Sequence, residues 1–153
     1  MAHFAKLKQE QDPFDPTKQN WVVEQVVVVD NKHVSSDESE DGEIWCSNYF
    51  NGGNWKQTSY NNNFRKKYAA IGDVYDFDKN KFIAQQPFAS WSLDANDDWQ
   101  PPVNFPSIDT YSLDGKEVRY IISWDEENQK WIGKKGDLEI FNWDPLTLNW
   151  IET

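Results

Sequence analysis

The sequence predicts a mainly β protein: antiparallel hairpins in a compact sheet or sandwich, with one short helix near 42–50. Three observations carry this. The chain holds 9 Trp, 9 Phe and 6 Tyr against one Met, and aromatic side chains favour strands. Asn, Asp, Gly and Pro, which make turns, are plentiful. One figure recurs: an aromatic, an Asp, a short polar stretch, and a second aromatic.

Taken in order, "HFAKL" (3–7) alternates weakly and "WVVEQVVVV" (21–29) is dense in β-branched residues, so 2–8 and 20–29 read as a first strand pair. The stretch between them, 8–20, is turn-rich. "NKHVSSDESEDGE" (31–43) is the most acidic stretch and reads as a loop with Ser or Asp capping a helix. "GEIWCSNYF" (42–50) is that helix, with Ile44, Trp45, Asn48 and Tyr49 on one face. "NGGN" (51–54) ends it with glycines suited to positive φ. Residues 55–77 read as two strands around an Asn-rich turn at 61–63. "AQQPFASW" (84–91) and "QPPVNFPS" (100–107) carry proline and read as extended connectors at sheet edges. "LDGK" (113–116) is an Asp-Gly hairpin signal. The length suits one domain, 1–153, within which 111–153 is a candidate hairpin lobe.

The recurring figure closes the chain. "WDEENQKWI" (124–132), "WDPLTLNWI" (143–151) and "FDPTKQNWV" (14–22) each place Trp six positions after an Asp that follows an aromatic. Two shortened versions are "SLDANDDW" (92–99), with Asp94 five before Trp99, and "YDFDKNKFI" (75–83), with Asp78 four before Phe82. The physical reading is a hairpin in which the Asp carboxylate accepts backbone N–H groups one or two residues on. Asp15, Asp94, Asp125 and Asp144 are the predicted turn residues, and Pro16 and Pro145 suit the next turn position. The predicted aromatic pairs are Phe14 with Trp21, Trp124 with Trp131, and Trp143 with Trp150. Such a pair adds about 0.5–1.5 kcal/mol beyond its buried area. The competing reading exposes the Trp faces to stack on sugar rings.

A net charge of −11 repels nucleic acid and anionic membrane surfaces, so neither is an expected partner. The longest apolar run, Val26–Val29, is far short of the ~20 residues of a membrane span. The N-terminus lacks the apolar core of a signal peptide, and a single cysteine excludes an intrachain disulfide. Folding in a reducing cytoplasm is expected. No catalytic residue, cofactor or metal is predicted. His3, His33 and Cys46 lack ligand spacing. "DESEDGEIWCSN" (37–48) imitates a calcium loop but has Asn48 where the bidentate Glu belongs. The acidic pairs Asp97–Asp98 and Glu126–Glu127 read as solvated turns. Arg65, Lys66 and Lys67, the one basic cluster, read as lying along a hairpin.

The motifs "HFAKL", "VVEQVVVV", "WKQTSYN", "FRKKYAAIG", "QPFASW" and "WDEENQKW" resemble a group of small proteins encoded by marine cyanophages and related ocean phages. The resemblance spans roughly 80% of the chain. Two departures stand out: the insert "DPFDPTKQN" (12–20) and the extra figure at 137–153. The resemblance implies no catalytic residues. It implies a structural or accessory protein of the virion, made in the host cytoplasm. Such a protein would bind tail, baseplate or capsid subunits within a symmetric assembly, as a tail attachment or a capsid decoration. The alternative is a glycan-binding module for host surface sugars.

Overall fold

The computed structural model describes residues 1–153 and is mainly β with one short α-helix. The chain forms two compact units, Met1–Gln85 and Gln86–Thr153, where the sequence led to one domain with a lobe from 111. The boundary falls earlier because Phe88, Trp91 and Val103 pack on the Trp cluster of the second unit.

In the first unit, β1 (Ala2–Gln11), β2 (Gln19–Val29), β3 (Asn54–Thr58), β4 (Val74–Asp76) and β5 (Lys81–Ile83) make an antiparallel sheet in the order β3-β1-β2-β4-β5. The register of β1 on β2 shifts between Lys6 and Leu7. Strand β1 buries Ala2, Phe4, Ala5 and Leu7. Two apolar clusters result, one around Leu7, Val23, Tyr75 and Phe82, the other around Phe4, Val29, Cys46 and Trp55.

Helix α1 spans Glu40–Tyr49, starting two residues before the expected point, with Glu40, Asp41 and Glu43 favourably placed at its positive end. Its inward face also differs from expectation. Gly42 and Cys46, one turn apart, are buried, while Ile44 and Tyr49 are exposed. The reason is close approach. A Cβ on residue 42 would lie 2.9 Å from Phe4 Cε1 and 3.0 Å from Val34 Cγ2, so a glycine lets the helix settle on β1.

The second strand expected within 55–77 shrinks to β4. Arg65 and Lys66 take positive φ of 53° and 72°, which breaks the extension and turns the Arg65 side chain inward. The basic cluster therefore does not lie along a hairpin.

In the second unit, β6 (Ser92–Leu93) pairs with β7 (Trp99–Gln100), and β8 (Thr110–Leu113) with β9 (Lys116–Arg119). Asp114 and Gly115, both at positive φ, close the β8–β9 turn. A four-stranded meander follows in chain order: β10 (Ile121–Asp125), β11 (Lys130–Lys135), β12 (Glu139–Asp144), β13 (Asn149–Glu152). Alternation turns Trp124, Trp131, Trp143 and Trp150 to one face. The proline-bearing segments 84–91 and 100–107 are connectors, as expected, apart from Gln100 in β7, and their Phe88, Trp91 and Val103 pack on that tryptophan face. No helix is long and apolar enough to cross a membrane.

Candidate functional site

The hairpins decide which aromatics remain free. Trp124 and Trp131 are directly opposed, with ring centroids 5.0 Å apart at 65°. Trp143 and Trp150 repeat this at 5.1 Å and 65°. These edge-to-face pairs suit the ring quadrupoles. Beside them, Asp125 accepts from the Asn128 backbone N–H (3.2 Å) and side-chain amide (2.8 Å). Asp144 accepts from Leu146 N–H (3.0 Å) and the Thr147 hydroxyl (2.8 Å). Gln129 and Leu148, each four residues after its Asp, take positive φ of 50° and 54° to return the chain.

The third full copy of the figure lies at 75–83, where the sequence suggested a shortened one. Tyr75 opposes Phe82, at 4.9 Å, and the turn acceptor is Asp76, which takes Lys79 N–H at 3.0 Å. Asn80 has the matching positive φ of 53°. The figure is thus full length, and Asp78 is not its turn residue. "YDFDK" offers two Asp, and only the one on the strand partner of Lys81 can close the loop. In 92–99, Leu93 rather than an aromatic faces Trp99, and Asp94 accepts from Asn96 N–H (2.8 Å) and Asp98 N–H (3.0 Å).

The first figure departs most. Phe14 and Trp21 do not pair. Trp21 opposes Gln9 and meets Phe77 at 5.7 Å, while Phe14 is exposed in the loop. Because β1 runs to Gln11, Asp12 leaves the strand and closes the turn, accepting from Phe14 N–H and Asp15 N–H (2.8 and 3.0 Å) and the Asn20 amide (2.8 Å). Asp15 holds the local turn expected of it, taking Thr17 N–H (3.0 Å) and the Thr17 hydroxyl (2.6 Å) on its carboxylate and Lys18 N–H (3.1 Å) on its carbonyl.

These hydrogen bonds hold carboxylates below their ordinary range: the Thr17 hydroxyl and amide for Asp15, the Asn128 side chain for Asp125, and the Thr147 hydroxyl for Asp144. Glu126 is lowered by Ser90 and the Trp124 indole. Asp41 is driven to about 2 by Ser39 and Ser35. Asp41, in the first turn of α1, accepts Gly42 N–H at 2.8 Å, while Ser39 at the N-cap makes no side-chain capping bond; residues 40–48 are helical, so the calcium-loop pattern is not a loop.

All of the 9 Trp are buried or half-buried. Two grooves remain. One in the first unit, of about 370 Å³, is lined by Met1, His3, Asp37, Thr58, Tyr60 and Asn61 among others. His3 stacks on Tyr60 at 5.4 Å, and burial lowers its pKa. The other, of about 520 Å³ in the second unit, has walls of Val103, Asn104, Phe105, Trp143, Pro145 and Leu148 and no charged lining residue. His33 stacks on Trp45 at 4.3 Å, and Cys46 is buried with its thiol pushed up to about 11 by burial.

Sequence reasoning missed Arg65. Its guanidinium is buried and donates to Glu43 (3.0 Å), the Gln57 carbonyl (3.0 Å) and Asn80 (3.0 Å). Glu43 also holds Lys56 at 3.2 Å and the Gln57 backbone N–H at 3.1 Å. This network ties α1 to β3 and the β4–β5 turn. The one available signal was Arg65 beside an Asn-rich turn, and that does not distinguish inward from outward. Compared with models of known protein families, with curated proteins and with solved structures, the chain matches none.

Proposed function

We propose that the protein is a non-enzymatic structural or accessory component of a phage particle, binding neighbouring subunits of the tail, baseplate or capsid by surface complementarity. One observation carries this reading beyond the sequence resemblance. The tryptophans are turned inward, while the opposite face of the meander leaves Ile121, Ile140 and Ile151 at 60%, 40% and 52% exposure on a strongly acidic protein. On that face Lys134 stands between Ile121 and Ile140 and Asn142 beside Ile151, so it offers a neighbour apolar and polar groups together. The carboxylates support a non-catalytic role. Those in the turns are committed to backbone groups and lowered, whereas a general acid needs a raised pKa. The buried Cys46 thiol is not activated as a nucleophile.

Quantitative mass spectrometry of purified particles tests the proposal, because symmetric assemblies make copy number diagnostic. Capsid decoration expects one copy per lattice position, and a tail or baseplate role expects a small multiple of three or six. Absence from the particle would overturn the reading.

The glycan-binding alternative is favoured by the uncharged groove at Trp143, whose accessible aromatic is Phe105, 56% exposed. Binding on a glycan array that Phe105→Ala abolishes would establish it; a blank array would remove it.

A further inference from the structure

The second unit contains an internal repeat. "IISWDEENQKWIG" (121–133) and "IFNWDPLTLNWIE" (140–152) align without a gap, nineteen positions apart, sharing Ile, Trp, Asp, Trp and Ile. The two hairpins share the same Trp pair geometry and the same positive-φ turn position. They are joined to each other through β11 and β12, with Ile132 opposite Asn142, Gly133 opposite Phe141 and Lys134 opposite Ile140. One hairpin therefore already docks on a near-copy of itself, edge to edge.

The same two edges recur unpaired at the ends of the sheet. β13 is the repeat of β11, and β10 is the repeat of β12, and both are outer strands. Their isoleucines register what is missing. Ile132, flanked by β12, is half-buried, while its counterpart Ile151 is 52% exposed. Ile140, flanked by β11, is 40% exposed, while its counterpart Ile121 is 60% exposed.

Edge strands are ordinarily blunted by Lys, Pro, a bulge or a covering element. The first unit does this: β3 carries Lys56 and lies against α1, and β5 opens with Lys81. β10 and β13 have no Lys, no Pro and no register shift against their neighbours, and their charged residues, Asp125 and Glu152, stand at the strand ends.

We propose that the partner of these edges is a second copy of this chain, with β13 of one copy pairing antiparallel to β10 of the next in the register that β11 and β12 use. The joint sets Ile151 opposite the partner's Ser123, Glu152 opposite the partner's Ile122, and Thr153 opposite the partner's Ile121. It continues the isoleucine face across copies. Glu152 replaces the Gly133 of the internal joint. The glycine there admits the leaning Trp150 ring, 2.8 Å from a would-be Cβ. Trp131 of the next copy is anchored on its own Val103 carbonyl at 2.8 Å, as Trp150 is on Ile108 at 2.7 Å, and its ring must lean off this position for Glu152 to fit. The contact is head-to-tail, so copies form a closed ring or an open chain. With three residue pairs it is weak singly and gains from closure or from a shared surface. It does not depend on the particle reading, and absence from a virion leaves it untouched.

Crosslinking in register tests it. In Ser123→Cys/Ile151→Cys the two thiols of one chain sit on opposite outer strands, ~14 Å apart by strand spacing, and cannot join each other. In the control, Ser123→Cys/Glu152→Cys, the second thiol points to the other face. Both are oxidised with glutathione disulfide at physiological salt, since the like net charge of the copies opposes association. The expected result is a reducible ladder of dimers, trimers and larger species for the first variant, and almost none for the control. Equal crosslinking of both, or none in either with wild-type near-ultraviolet circular dichroism, overturns the proposal. Should the variants misfold, sedimentation of the unmodified protein decides: species must grow with concentration, and a lone monomer up to the solubility limit overturns it.

Discussion

At the scale of single residues, the indole N–H groups separate two tryptophans of one cluster. Trp131 donates to the Val103 carbonyl at 2.8 Å, whereas the buried Trp91 Nε1 meets no acceptor. Trp131→Phe strands a carbonyl and should cost about 1–3 kcal/mol, while Trp91→Phe removes an unsatisfied donor and should be near neutral or stabilising. Urea unfolding of the two variants gives the ranking, and an equal loss in both would refute the assignment. Gly133→Ala drives a methyl into the Trp150 ring and should cost about 1–3 kcal/mol by the same measurement. Arg65→Met leaves the Glu43 carboxylate, 10% exposed, with Lys56 as its remaining cation. A loss of about 3 kcal/mol is expected, and a further Glu43→Leu substitution should recover part of it. A neutral Arg65→Met would show that the guanidinium reaches water. Gly133 and Arg65 were invisible in the sequence as key positions, because what matters is the ring or carboxylate that the fold brings beside them.

At the scale of the element, the hairpins were legible where one Asp followed the first aromatic without a rival. Trp124–Asp125 and Trp143–Asp144 give the loop, the register and the facing ring directly. In "DPFDP" both Asp12 and Asp15 hold turn N–H groups, and in "YDFDK" strand length, not local chemistry, chose Asp76. Helix α1 was legible in place but not in face, because close packing against Phe4 outranked apolar periodicity. The turn carboxylates also set the response to acid. Their pKa values are lowered in the fold, so their contribution is full above the unfolded value near 4 and is lost as pH falls through the folded values. Asp41, at about 2, goes last. Melting temperature should be insensitive to these groups above about pH 5 and should fall between about pH 4 and pH 2. A fall beginning above pH 5 would point to other groups.

At the scale of the whole molecule, the β class and the single helix were legible because aromatic and turn content vary little with register. The division after Gln85 was not. It depends on Phe88, Trp91 and Val103 leaving the extended reading of their proline-bearing segments to cover a tryptophan cluster, a long-range choice that local sequence does not encode. The tryptophans are buried or half-buried, four of them lie as facing pairs in the hairpins, and the strongly exposed surface is made of other residues. Acrylamide quenching of tryptophan emission tests this arrangement most directly, because a neutral quencher is not repelled by the negative surface. Weak quenching of the folded protein, rising sharply on unfolding in urea, is the expected result. Quenching of most of the native emission at close to the unfolded rate would contradict it, and would return the tryptophans to the role of ligand platforms.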